Sequence, residues 1–469
     1  MNQMRKENEI PSKQTELNLN NDELAPSDDK QRNITSLTFF VMCIGFYVQL
    51  VAFISGAQMF PNLSPLMILL FCTIGNLVVW LFLILTGDVG MRYGIPFAVY
   101  MRAPFGYKGA YFPGIVRAVP AIYWFGFQTW MGSEAINAIL KYLFGFNHPM
   151  LILAIFGVLQ ILNTALGVDA IAKFDWVAIP VLTLTTGYIL YYLITRYHIG
   201  WEIFSTPGQG NISPLLAITT FAGVQITMAV NISDFTRFMK RPASATGKVD
   251  AKLSFIKLNS GSMLSQFFGL LLPMVGFTAV GMVSGIATGE WNPITVMTEV
   301  FADNPVVMIL VLLSFVIFAQ VSSNTGQNLL PPGYVLLNIF PHKLTFAKAV
   351  IIAGLIGLFC QPWVFADRLN SVLLVITCML GPIIGIIISD YYLVRKRRIN
   401  VDELYKPGGQ YTYCKNYNPA ALIVFIPSII LGLIFSDYAL FVALVVGGVL
   451  YYVLMKCWIL KKYPQDDAV

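Results

Sequence analysis

Runs of about twenty consecutive apolar residues recur along this chain, and they restrict its folding more than any other feature. One of them, PLMILLFCTIGNLVVWLFLILTG at residues 65–87, holds no charged side chain. In a bilayer, backbone amides and carbonyls of such a run find no water, so the segment must satisfy them internally as a helix. Comparable runs continue from residue 36 to 457, in a chain that is 57% hydrophobic and 12% charged. Soluble domains carry about 25% charged residues. The expectation is an all-α polytopic membrane protein. The short alternating segments of a membrane β-barrel are absent.

Twelve spans are expected, near 36–60, 64–87, 108–141, 149–170, 173–195, 212–239, 256–286, 304–339, 344–362, 366–394, 418–436 and 438–458. Lysine and arginine orient them. All but four of the 30 basic residues fall on one side, the exceptions being Arg117 inside span 3 and Lys141, Arg196 and Arg368 on the other side. The positive-inside rule then places both termini in the cytoplasm of a multi-pass cell-membrane protein, expected to be a bacterial inner membrane. Residues 1–35 are polar, with no apolar core for a signal peptide, and read as a disordered cytoplasmic tail; 459–469 read as a second tail. The basic "VRKRR" run suits a juxtamembrane position, so no nucleic-acid partner is expected. Six scattered cysteines and three loop histidines give no metal or disulfide spacing. "GQG" and "PPG" mark turns and not phosphate loops, which argues against a nucleotide-driven pump. No convergent acid, base and nucleophile lies inside the spans, so an enzyme is not expected.

Four spans carry polar residues away from their ends. Span 1 has Gly45, Gln49, Ser55 and Gln58; span 3 has Gln128, Thr129, Ser133 and Glu134. Span 6 has Gln225, Thr227 and Asn231, and span 8 has "QVSSNTGQN" at 320–328. These are the first and third members of two consecutive sets of five, the pattern of a two-fold repeat with a central site: 36–195 as the first repeat, 212–394 as the second, and 418–458 as two peripheral helices. Gly45 and Gly223 are positions where span 1 and span 6 can unwind. For any single Ser, Thr or Gly, helix packing is the plainer reading.

Trp124 and Gln128 are four apart, so they share one helix face. An indole offers a flat wall to a planar ring, and an amide one turn away donates and accepts together, matching adjacent ring N–H and C=O groups. In span 8, Ala319, Ser322 and Ser323 stand at i, i+3 and i+4. Two hydroxyls and a released carbonyl are hard oxygen ligands for a monovalent cation, and carbonyls near Gly45 and Val48 of a loosened span 1 would complete the shell. Asn328 sits further along the same helix, turned away from the serines.

"WFGFQTW", "AQM" at 57–59, "EWNP" at 290–293, "NLLPPGY" at 328–334 and "ISDYYLVRKRRI", in that order, resemble the nucleobase–cation symporter family-1, which includes hydantoin, allantoin and cytosine transporters. The resemblance covers about residues 33–460 and is nearest the hydantoin branch. It implies a LeuT-type fold of twelve transmembrane helices, a 5+5 inverted repeat plus two extra helices, working by alternating access. Spans 1, 2, 6 and 7 would form a bundle, and spans 3, 4, 8 and 9 a scaffold. It also implies that Trp124 stacks on the substrate, that Gln128, Asn328 and Gln49 hydrogen-bond it, and that Leu373 gates it. The family's sodium site falls on the carbonyls of Gly45, Val48 and Ala319 and the hydroxyls of Ser322 and Ser323.

One departure matters. Where hydantoin transporters place a second tryptophan in span 6, this chain has Gln225, preceded by Val224 in place of glycine. A small polar ring (allantoin, uracil, cytosine or a purine) is therefore expected ahead of an aryl-hydantoin. Na⁺ is the expected co-transported ion because the shell is built from neutral oxygens. A proton working through Glu134 is the alternative, as are a permease for a vitamin or nucleoside and a transport-like receptor. A monomer is expected.

Overall fold

The computed structural model describes residues 22–165, 168–242, 254–315, 321–406 and 408–468. Among these, the regular elements are helical, with only isolated β-bridges besides. Start and stop signals are local. Ser64, Ser213 and Asn418 each precede a proline, and each side chain accepts a backbone N–H two or three residues on. At the far ends of spans 2, 3 and 7, Gly94, Gly145 and Gly289 take left-handed φ values of 75°, 67° and 73°, conformations that cost a residue with a Cβ.

Span 1 is two helices, Ser36–Tyr47 and Leu50–Met59, bent by 51° where Val48 and Gln49 are extended. Spans 2 to 5 are Pro65–Tyr93, Tyr111–Phe144, Pro149–Ala165 and Val168–Arg196. Span 6 is Pro214–Asn231 with a short continuation Ser233–Thr236, and span 7 is Phe255–Thr288. The described parts of span 8 are Pro305–Ser314, Val321–Asn324, a π-helical turn Thr325–Leu329 and Leu330–Ile339. Spans 9 to 12 are Phe346–Phe359, Leu369–Ile388 running on as π-helical Ser389–Val394, Pro419–Ile434 and Ala439–Leu454. Five described helices are individually long and apolar enough to cross a bilayer, and the bent pair makes a sixth; several others are shorter apolar helices.

Unwinding follows one glycine and not the other. The break in span 1 comes three residues after Gly45, whereas span 6 runs unbroken through Gly223. A Cβ at Gly223 would lie 2.7 Å from Thr377 Oγ1 and 3.4 Å from the Leu373 carbonyl, so this glycine is a contact with span 10.

Spans 6 and 7 pack on spans 1 and 2, while span 3 packs on spans 4, 8 and 9. Within the first group the approach is close: a Cβ at Gly281 would meet the Phe53 carbonyl at 1.9 Å. Span 10 packs on span 12 and touches span 6.

Residues 22–35, expected to belong to a disordered tail over 1–35, pack against the rest of the protein, while residues 1–21 of that expectation lie outside the described residues. The backbone carbonyls of this segment serve as acceptors for buried donors. Both Nη atoms of Arg237 donate to Glu23 O, at 3.1 and 3.0 Å, and Tyr405 donates to Leu24 O at 2.7 Å. Burial pushes the Tyr405 hydroxyl well above its ordinary pKa, so it stays a donor. Arg32 reaches the carbonyls of Gly90, Met91 and Met239. The other chain end is also anchored. Asp467 accepts from Arg395 at 2.6 Å and from Tyr411. Arg395 belongs to the "RKRR" run and pairs with Asp390 at 2.8 Å, while Arg397 forks onto Asp88 of span 2 at 2.9 and 3.0 Å.

Candidate substrate and cation site

The last carbonyls of a helix lack intrahelical partners, and the break in span 1 creates such an end inside the protein. The Phe46 carbonyl is met there by two side-chain amides, from Gln49 at 3.1 Å and from Gln327 in span 8. Gln49 Nε2 also donates to Gln327 Oε1 at 3.0 Å. Spans 1 and 8 are therefore in direct contact at the break.

From Gln49 the chain of polar groups continues into span 3. Gln128 Nε2 donates to Gln49 Oε1 at 3.4 Å, and Gln128 Oε1 accepts from Ser323 Oγ at 2.8 Å. The Ser323 hydrogen is thus turned toward Gln128, which leaves the oxygen lone pairs free to face elsewhere. Gly45, Val48 and Ser323 are buried beside this break, a donor set of neutral oxygens that fits a hard monovalent cation. Ala319 lies outside the described residues, as does the side chain of Ser322. Val48 also borders a 370 Å³ cavity walled by Leu182, Thr183 and Thr186 of span 5 and Pro273 and Phe277 of span 7.

Trp124 is 3% exposed, one turn from Gln128. Tyr123 and Phe127 meet its ring edge-on, with interplanar angles of 79° and 88°, so neither stacks on it. Its indole Nε1 has no hydrogen-bond partner. Asn328 is buried in the π-turn and donates to Asn324 Oδ1 at 2.8 Å. Asn324 in turn holds the Phe125 carbonyl, Thr129 Oγ1 and Gln160 Oε1, tying span 8 to spans 3 and 4. Leu373 is fully buried on span 10, beside Gly223. Val224 and Gln225 are buried on span 6; Gln225 Nε2 donates to Met274 Sδ at 3.3 Å, and its Oε1 has no partner.

Sequence reasoning noted the run holding Asn324 and Gln327 but gave neither a role, and it missed Gln160. The signal was present: a membrane span rarely carries as many amides as "NTGQN". It also left Arg117 unassigned. Arg117 is fully buried, donates to Asn231 Oδ1 at 2.8 Å and to the Gln327 carbonyl at 3.2 Å, and keeps Nη1 unpartnered. The Glu134 carboxyl lies near the side chains of Trp130 and Asn292, the latter preceding the Pro293–Val300 helix.

An all-helical membrane protein with a broken first span, two packed helix groups and a polar network across their seam has the build of a secondary transporter. The comparisons with known proteins agree. Residues 26–455 match the family model described as permease for cytosine/purines, uracil, thiamine, allantoin, and the chain belongs to that family. It is 31% identical over 442 residues to the hydantoin permease of Microbacterium maritypicum, covering 94% of this chain and 89% of that one. Against the allantoin permease of Bacillus subtilis (strain 168) it is 29% identical, with 95% of each covered. The structure of Mhp1, a nucleobase-cation-symport-1 family transporter closed around bromovinylhydantoin, superposes with a TM-score of 0.88 at 31% identity, covering 95% of this chain and 96% of that one. The inward-facing conformation of Mhp1 gives 0.84 at 30% identity, with 95% of each covered. The fold is the LeuT-type arrangement expected above.

Proposed function

We propose that this transporter carries a small, planar, polar nitrogen heterocycle together with Na⁺, by alternating access. The observation that carries the reading is the unbroken path Ser323–Gln128–Gln49, which joins a candidate cation ligand to candidate ring-binding amides. A cation that fixes the Ser323 oxygen orients Gln128, and an oriented amide costs a ring less to bind. Coupling of this type is worth about 1–3 kcal/mol. Trp124 supplies the wall, Gln128, Gln49 and Asn328 the polar contacts, and Leu373 the gate. Gly45, Val48, Ala319, Ser322 and Ser323 supply the ion shell.

Gln225 narrows the cargo. Its free Oε1 is an acceptor where an aromatic wall would serve an aryl group, so allantoin, uracil, cytosine or a purine is the expected ring. In a competition panel on reconstituted protein, these rings are expected to displace each other at least tenfold better than benzyl- or indolyl-hydantoin. Preference for the aryl compounds would overturn the assignment. The competing reading is proton coupling through Glu134, which the protonophore comparison below separates from Na⁺ coupling. The termini are assigned to the cytoplasm and the protein to a bacterial plasma membrane, as a monomer.

Ser323→Ala removes an ion ligand and the bond to Gln128 together. The apparent Na⁺ affinity is expected to fall about tenfold, in line with the loss of one hydrogen bond or ligand. The rank order of rings should stay unchanged. Uptake that ignores Na⁺ but collapses with a protonophore would sink the sodium assignment.

A further inference from the structure

A guanidinium buried among membrane spans is costly, and such a group ordinarily marks a moving part or a pathway. Arg117 meets that description without a carboxylate in direct contact. Its partners are a side-chain amide on span 6 and a backbone carbonyl in the π-turn of span 8. Asp234 supplies the counter-charge at one remove: Asn231 Nδ2 donates to Asp234 Oδ2 at 2.9 Å, and Asp234 Oδ1 accepts the Phe97 amide at 2.8 Å. Nη1 has no partner, so the guanidinium is under-satisfied where it sits.

The position gives this bond its meaning. Arg117 lies seven residues before Trp124, about 10 Å along the helix toward the face that carries both chain ends. Span 3 packs with spans 4, 8 and 9, and span 6 packs on span 2, which with span 1 also holds span 7. The Arg117–Asn231 bond therefore crosses the seam between the two groups, on the inner side of the ring platform. Its other contact, the Gln327 carbonyl, belongs to the residue whose side chain holds Phe46 O and Gln49 at the break in span 1.

We infer that Arg117 is an inner latch: its bond to Asn231 ties span 3 to span 6 while the path to the cytoplasm is shut, and inward opening requires that bond to break. Through Gln327 the same side chain positions the amides at the break, so disturbance of the site and release of the latch are mechanically joined. The inference rests on alternating access and is independent of which ring is carried.

The test therefore uses no ring. In full-length protein with the exposed Cys360, Cys414 and Cys457 replaced by serine, one reporter cysteine is introduced at Thr227, one turn before Asn231 and on the same helix face. A second protein carries it at Ser133, nine residues beyond Trp124 toward the opposite side. Labelling with a membrane-impermeant maleimide is measured in inside-out and right-side-out vesicles. Asn231→Ala and Arg117→Gln should each speed labelling at Thr227→Cys from the inside by roughly tenfold, the scale of one hydrogen bond to a charged group. Each should slow labelling at Ser133→Cys from the outside. The double variant should go no further than the stronger single one. A merely structural role would loosen the protein and speed labelling at both positions. That outcome, unchanged rates, additive effects, or labelling of Thr227→Cys from the outside alone would overturn the latch. If Arg117→Gln fails to reach the membrane, Asn231→Ala still decides the question.

Discussion

Trp124→Ala is expected to abolish saturable uptake while protein remains in the membrane. Stacking of a base on an aromatic side chain is worth about 1–3 kcal/mol, or up to roughly a hundredfold in affinity. The substitution also frees Gln128 from a neighbouring wall, since the two residues share a helix face. Trp124→Phe keeps a flat face and discards the unpartnered indole N–H. It should bind ring compounds at least tenfold better than the alanine variant. The readout is counterflow in proteoliposomes, with membrane insertion checked by size-exclusion chromatography. An alanine variant with KM within twofold of the parent would end the case for a stacked ring at this position.

Arg395→Ala carries the largest expected loss of stability. The fully buried guanidinium pairs with Asp390 at 2.8 Å and Asp467 at 2.6 Å, and it also donates to Tyr413 OH at 3.0 Å and Ala103 O at 3.3 Å. It lies over the Tyr411 ring at 4.9 Å. Removing one partner of a buried ion pair costs about 3–5 kcal/mol, because the remaining charge is left without compensation. Here two carboxylates would be left. Adding Asp390→Asn should return part of the loss, as Tyr451 can still donate to that side chain. Thermal unfolding of the detergent-solubilised protein measures both. Equal midpoints for the parent and Arg395→Ala would show that the cluster contributes nothing.

What was legible in the sequence follows from the range of the forces involved. The spans are local: an apolar run must be a helix in lipid, and the Ser-Pro, Asn-Pro and glycine signals at its ends act over a few residues. The pairing of Trp124 with Gln128 was equally local, being a matter of helical spacing. The break in span 1 was placed only approximately. It is held by Gln327, which reaches the Phe46 carbonyl from 281 residues away. Gly223 misled because a glycine that serves a close contact and one that serves an unwound turn read alike in sequence. Asn324 and Gln327 were seen as part of a polar run but given no role, because single neutral amides are common helix glue and only the fold gathers them at one seam. Arg117 read as a lone charge until Asn231 was brought beside it. The segment from residue 22 was mistaken for tail because composition reports side chains, whereas its anchors are backbone carbonyls.

Those anchors also set an order of events during synthesis. Leu24 emerges from the ribosome early, yet its carbonyl is received by Tyr405, and the neighbouring Glu23 carbonyl by Arg237. Asp467, which closes the cluster around Arg395, is translated 72 residues after it. These anchors therefore cannot close until the segments carrying Tyr405 and Asp467 have been made. A nascent or prematurely stopped chain would display unclosed arginines, a chemical mark by which an unfinished carrier differs from a finished one.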